Sequence, residues 1–305
     1  MKFWIFGFLC LVWGTTWIAL KVSLEGLPPF LGAGLRFTAA VVILLLFVLL
    51  KKIPLKIKPK EWGFIALSGL LMYGVDYGLV YWGAQYLTAG LTAIFFSTFS
   101  LFAVIWGNFV FRQEAFSWQT FIGVVIGFAG ILVVFSDQLV ITRFSLNVTL
   151  GVAAVIVGAA AGAAALILVK KYLSKVNPFL LSLYQMVIGV SVLIFIGLTV
   201  ENLHLLRLNL RVTAAVLYLG VVGSALAFVL FYWLLQKISA ITLSFIIYIT
   251  PLVALVGDYL FFGEVLPLRS VLGMAVVFLG VGLTQKRKKR AAGKRGDPIP
   301  SGRVL

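Results

Sequence analysis

Apolar residues run along this chain in ten long blocks. Their limits are 3–20, 30–50, 62–85, 88–111, 118–135, 150–169, 178–200, 212–235, 240–262 and 268–285. Crossing about 30 Å of hydrocarbon at about 1.5 Å per residue takes a helix of this length. Polar positions gather in the short linkers, such as Lys51–Lys60, and in a basic tail that begins Gln285-Lys-Arg-Lys-Lys-Arg290. The tightest linker is Tyr86–Leu87. The pattern predicts an all-α integral membrane protein with ten transmembrane helices. The first block is read as a retained helix: its leading polar stretch is only Met1-Lys2, and no Ala-x-Ala-like cleavage site follows in Lys21–Phe30.

Composition agrees. Of 305 residues, 62% are hydrophobic and 11% charged, whereas soluble domains carry about 25% charged residues. The net charge of +16 would suggest nucleic acid in a soluble chain. Here the basic residues sit in short linkers and the tail, where they act as topology signals next to the lipid bilayer. No nucleic-acid partner is expected. Lys51–Lys60, Lys170–Lys175 and the tail fall on one side, opposed by Lys21, Arg143, Arg207, Arg211 and Arg269. The bias puts both termini in the cytoplasm of a multi-pass cell (inner or plasma) membrane protein. The single cysteine, Cys10, excludes an intrachain disulfide.

The chain also repeats itself. Glu114-x8-Gly123-x6-Gly130 returns 150 residues later as Glu264-x8-Gly273-x6-Gly280. Lys21 precedes Pro29-Phe30 as Lys170 precedes Pro178-Phe179, and Gly-Asn108-Phe-Val-Phe matches Gly-Asp258-Tyr-Leu-Phe. Each copy holds five spans. Five is odd, so the second copy enters from the other side, giving two inverted-topology five-helix repeats. We divide the chain into residues 1–140, residues 141–285, and a basic tail 286–305 expected to be disordered.

Trp13-Gly14, Pro29-Phe30 with Arg36 after it, Thr250-Pro251 and the twice-occurring Glu-x8-Gly-x6-Gly together resemble the drug/metabolite transporter superfamily, specifically its ten-helix EamA-type members. The resemblance covers about residues 3–285. Asp76 departs from it, standing where many members carry an uncharged polar residue such as Asn. The resemblance implies a secondary transporter that exports amino acids or related small organic metabolites by alternating access. It also implies a cavity surrounded by helices 1–4 and 6–9, with helices 5 and 10 as peripheral support. A nucleotide-sugar or phosphorylated-sugar exchanger of the same superfamily is the alternative. A non-transporting membrane enzyme or scaffold is another.

Two ionisable residues lie deep in the blocks. Asp76 sits in Met72-Tyr-Gly-Val-Asp-Tyr-Gly-Leu-Val-Tyr81. A charge at such depth costs about 2.5–3.5 kcal/mol on insertion scales and marks a functional candidate. Arg36 lies about 9 Å below the outer surface at 1.5 Å per residue, and Asp76 comes out at the same depth. The two either pair or share a polar cavity. Paired, Asp76 is a structural brace; unpaired, it is the proton-coupling candidate. Tyr73, Tyr77 and Tyr81 share a helix face next to it, as a cavity wall or as a packing stripe. Trp13, Thr16 and Trp17 on helix 1, Tyr184 and Gln185 on helix 7, and Tyr248 and Thr250 on helix 9 complete the cavity candidates. The small residues Gly158–Ala165 suit close helix packing.

Enzyme signatures are missing: there is no His-Glu-x-x-His, no Gly-x-Ser-x-Gly and no phosphate loop. One histidine, His204, with Glu201 near it makes too few ligands for a metal. The chain is read as a non-enzyme without cofactor or metal, whose partners are a small-molecule metabolite, the lipid bilayer and, through Asp76, protons.

Overall fold

The computed structural model describes residues 1–111, 117–134, 136, 145–253 and 268–294. Every regular element among them is helical. Each apolar block becomes one helical span. They are α1 Lys2–Leu24, α2 Pro29–Leu50, α3 Pro59–Ala84, α4 Ala89–Val110, α5 Trp118–Val134, α6 Leu146–Leu173, α7 Pro178–Val200, α8 Leu210–Lys237, α9 Ala240–Val253 and α10 Leu268–Lys294. Seven are long and apolar enough to cross a membrane, and α5, α9 and the apolar part of α10 are shorter. The molecule is an all-α, multi-pass membrane protein. Helix α10 carries on through the first basic residues of the tail. Glu114, Arg143, Asp258 and Glu264 lie outside the described residues.

Local sequence explains where the helices begin. Prolines open α2, α3 and α7, where a missing N–H costs nothing. The side chains of Thr88, Ser145, Asn209 and Ser239 each accept from a first-turn N–H of α4, α6, α8 and α9, satisfying a donor that the helix itself cannot. The tight α3–α4 connection is thus a turn closed by the Thr88 cap.

The packing carries the repeat. Helix α1 lies on α8 as α6 lies on α3, and α2 on α7 and α5 on α10 pair each helix with its own counterpart. The α5–α10 contact runs along the repeated glycines. A Cβ on Gly130 would strike the backbone of Val277, and one on Gly273 the backbone of Val134. Gln119 Nε2 donates to the Leu283 carbonyl at 2.8 Å, and Ser270 Oγ to that of Val134 at 3.1 Å. Tyr81-Trp82-x-x-Gln85 of α3 corresponds to Tyr232-Trp233-x-x-Gln236 of α8. Both helices widen to π-helical turns at matching places, Leu70–Asp76 and Val221–Leu226.

At the end where α1 finishes, the two repeats are tied by polar contacts. The Glu201 carboxylate, just past α7, accepts from the N–H groups of Phe30 and Leu31 at the start of α2 (2.7 and 2.9 Å). Arg207 N–H donates to the Gly26 carbonyl at 2.8 Å, and Arg211 pairs with Glu25 at 3.2 Å across solvent. At the other end the ties are aromatic. Phe64 stacks on Tyr172, Phe47 on Phe179, and Trp62 leans on Tyr184.

Candidate functional site

Between the repeats lies a narrow cavity of about 60 Å³, room for a few waters. Helix α1 lines it with Trp13, Thr16, Trp17 and Leu20, one stripe at helical spacing. Helix α2 adds Arg36, α3 adds Met72, Asp76, Tyr77 and Val80, and α4 adds Phe96 and Phe99. The second repeat supplies Phe228 and Phe231 from α8 and Ser244, Ile247 and Thr250 from α9. None of the described lining residues comes from α5, α6, α7 or α10, so among them the ring of helices is narrower than the family resemblance implies.

The rings form two clusters in the wall. Trp13 meets Phe228 and Phe231 at centroid distances of 5.4 and 5.1 Å, Trp17 meets Phe96 edge-on at 5.4 Å, and Phe96 meets Phe99 at 5.7 Å.

The two deep charges are treated differently. Arg36 is 2% exposed and well supplied. Its Nε donates to Ser224 Oγ at 2.8 Å and its Nη2 to the Gly223 carbonyl at 3.3 Å. Its guanidinium lies 4.8 Å from the Tyr77 ring centre and 5.2 Å from that of Phe37. Ser224 and Gly223 sit in the π-helical turn of α8, and the same Gly223 carbonyl accepts from Trp13 Nε1 at 3.1 Å. Asp76 is 1% exposed, and neither carboxylate oxygen has a hydrogen-bond partner. It rests against Gly158 and Gly162 of α6, where a Cβ on Gly162 would overlap the carboxylate. No ion pair joins Asp76 to Arg36; they share the cavity instead.

A model of the EamA-like transporter family matches residues 2–136 and again 149–285, one copy per repeat. The chain belongs to the EamA-like transporter family. It is 24% identical over 272 residues to the uncharacterised transporter YoaV of Bacillus subtilis, spanning 89% of this chain and 92% of that one. An uncharacterised transporter of Archaeoglobus fulgidus is 28% identical over 290 residues, 94% of this chain and 100% of its own. The uncharacterised inner membrane transporter YedA of Escherichia coli K12 is 28% identical over 277 residues, 90% and 87% of the two chains. A solved crystal structure superposes with a TM-score of 0.78 at 15% identity, covering 95% of this chain and 98% of the other, which establishes the shared fold.

Within this EamA-like framework, Trp13, Thr16, Trp17, Arg36, Asp76, Tyr77 and Thr250 line the cavity. Five other candidates lie off it. Tyr73 is fully buried behind the wall, its hydroxyl 3.3 Å from that of Tyr232. Tyr81 is fully buried one turn beyond Tyr77. Tyr184 faces the linker between α2 and α3, donating to the Leu55 carbonyl at 2.9 Å. Gln185 is buried against α3, bonded to Ser68. Tyr248 turns toward α5 and donates to the Val124 carbonyl at 3.0 Å. Tyr73, Tyr184, Gln185 and Tyr248 each engage a partner away from the cavity, whereas the Tyr81 hydroxyl and the Gln185 Oε1 are buried without one among the described residues.

Sequence reasoning passed over Phe96, Phe99, Phe228, Phe231 and Ser244, and the Arg36 partners Ser224 and Gly223. The Tyr-Trp-x-x-Gln match aligns Ser224 with Tyr73, which was the available signal for α8. Gly158 and Gly162 read as packing residues; they also seat the Asp76 carboxylate. Among the described residues no group of three metal-ligating side chains occurs.

Proposed function

We propose that the chain is a secondary transporter that exports amino acids or related small organic metabolites by alternating access, with both termini cytoplasmic. The observation that carries this reading is the pair of unpaired opposite charges, Asp76 and Arg36, held apart in one aromatic cavity between the repeats. The groups of the lining suit a dipolar solute, for which the cavity must widen beyond the few waters' space it has here. The solute's ammonium meets the orphan carboxylate, its carboxylate approaches the guanidinium, and its apolar part lies among the rings. Asp76 is also the proton-coupling candidate, being the buried acid in the lining that no other side chain holds. Arg36 is the one cation among the described lining residues, which speaks against a phosphorylated sugar or nucleotide, whose several negative charges call for more.

Purified protein in proteoliposomes, screened by counterflow with labelled amino acids and other metabolites, tests the reading. Saturable exchange of one or more amino acids is expected. No saturable flux for any candidate overturns it.

A further inference from the structure

A second cavity opens at the end of the bundle where α1 finishes. It holds about 510 Å³, within the range of about 300–1,000 Å³ typical of small-molecule pockets. It shares no described lining residue with the aromatic cavity. The first repeat builds one side of it from the α1–α2 linker and the end of α3. The second builds the other from the end of α7 and the linker to α8. A molecule lodged there touches both repeats.

The charged groups around this pocket are unequally spent. Glu201 gives both carboxylate oxygens to the amides of Phe30 and Leu31. Glu25 is paired with Arg211. Arg207 also lines the pocket, and its guanidinium has no hydrogen-bond or ion-pair partner among the described residues. Asn202 Oδ1 accepts from the His204 N–H at 3.0 Å, which leaves its Nδ2 as a second donor to offer. Gln85 turns its Nε2 onto the Trp82 carbonyl at 2.9 Å. The acids are thus answered from within the protein, and the unanswered charge is positive. A guanidinium fork with an amide N–H beside it suits a carboxylate. Much of the remaining wall is apolar. Leu27, Phe30 and Leu205 contribute to it, and Trp82 meets Tyr86 edge-on at 5.3 Å, an angled corner that receives a ring or an alkyl chain.

We propose that this pocket binds small organic carboxylates with an apolar body, as a site separate from the aromatic cavity. Arg207 anchors the carboxylate, Asn202 adds a donor, and the Trp82–Tyr86 corner takes the apolar body. Arg207 is exposed, and exposed ion pairs are weak, so the affinity falls in the millimolar range. With both termini cytoplasmic, as proposed, the pocket faces outward and meets carboxylates in the surrounding medium.

Three probes separate the charge from the body: 3-phenylpropionate, phenethylamine, which carries the opposite charge on a similar body, and acetate, which has the charge without the body. Binding to the detergent-purified full chain is titrated by saturation-transfer NMR, which requires no transport. 3-Phenylpropionate is expected to saturate, and the other two to bind more weakly. Arg207→Gln is expected to weaken 3-phenylpropionate about 2- to 5-fold, what an exposed ion pair carries, and Arg207→Glu to weaken it further. The tie from Arg207 to Gly26 is made by the backbone N–H, so both variants keep it. Absence of saturable 3-phenylpropionate binding overturns the proposal. So does binding that both Arg207 variants leave unchanged, or phenethylamine binding as tight as that of 3-phenylpropionate. The counterflow screen stands apart from this titration. Absence of flux there overturns the transport reading and leaves this site in place, and flux without binding at this pocket does the reverse.

Discussion

Lys21 and Lys170 make the same contact in the two halves of the molecule. Lys21 Nζ, near the end of α1, donates to the carbonyls of Ala84 and Leu87 at 2.7 and 2.8 Å. Lys170 Nζ, near the end of α6, donates to those of Leu235 and Ile238 at 2.6 and 2.8 Å. Each ammonium caps the carboxyl end of a helix, α3 or α8, and meets its unsatisfied carbonyls and negative dipole end there. Because α1 and α6 run in opposite directions, the caps lie at opposite ends of the bundle, and each binds one repeat to itself. Lys21→Met and Lys170→Met should each cost about 1.5–3 kcal/mol, the range for charged hydrogen bonds. The double variant should lose close to the sum, since the sites share no partner. Thermal unfolding of the detergent-purified variants measures both; strong non-additivity would show that the caps do not belong to separate units.

Asp76 separates a coupled carrier from an uncoupled one. If its carboxyl carries the coupled proton, Asp76→Asn should leave a residual flux that no longer varies with pH, because an amide does not titrate in the range. Flux measured across a series of pH values, inside and outside the vesicle, decides it. Unchanged transport together with unchanged pH dependence removes Asp76 from coupling.

Gly162 tests whether the carboxylate needs its seat. A methyl group there overlaps the Asp76 carboxylate, so Gly162→Ala should displace it. The expected loss is about 1–3 kcal/mol, typical of overpacking, with a fall in flux. Gly282→Ala is the control. Nothing lies within 4 Å of a Cβ at that position, and the change should be neutral or stabilise the helix by up to about 1 kcal/mol. Equal effects at the two positions would sink the idea.

Glu201 makes stability depend on pH. Burial pushes its carboxyl above the ordinary value of 4.5, and the amides of Phe30 and Leu31 offset only part of that. A carboxyl whose folded value is raised contributes stability that is fully present below 4.5 and is lost as pH rises through the raised folded value. Melting temperature should therefore fall over that window, and less steeply in Glu201→Gln. The difference between the two profiles isolates Glu201 from Glu25 and His204 nearby. Parallel profiles would exclude its role.

Much of this was readable from the chain. The ten spans follow from block length, and the inverted repeat from Glu-x8-Gly-x6-Gly with Lys21 and Lys170. Counting residues along α2 and α3 brought Arg36 and Asp76 to one depth, and both line one cavity. The rest depends on helix rotation, which residue counting does not give. Tyr184, Gln185 and Tyr248 were chosen by position along a helix, yet each turns toward a neighbour. The π-helical turns leave no simple sequence mark, although they place Ser224 and Gly223 under Arg36.

The wide turns in α3 and α8 have a mechanical consequence. A π-helical turn holds more backbone than the α-helical turn it replaces, so each of these helices stores a surplus residue beside the cavity. Passing that surplus one place along the chain would swing the side chains it crosses by about 100° around the helix axis. Both helices could thus re-aim what they show the solute while their ends stay anchored by Lys21 and Lys170.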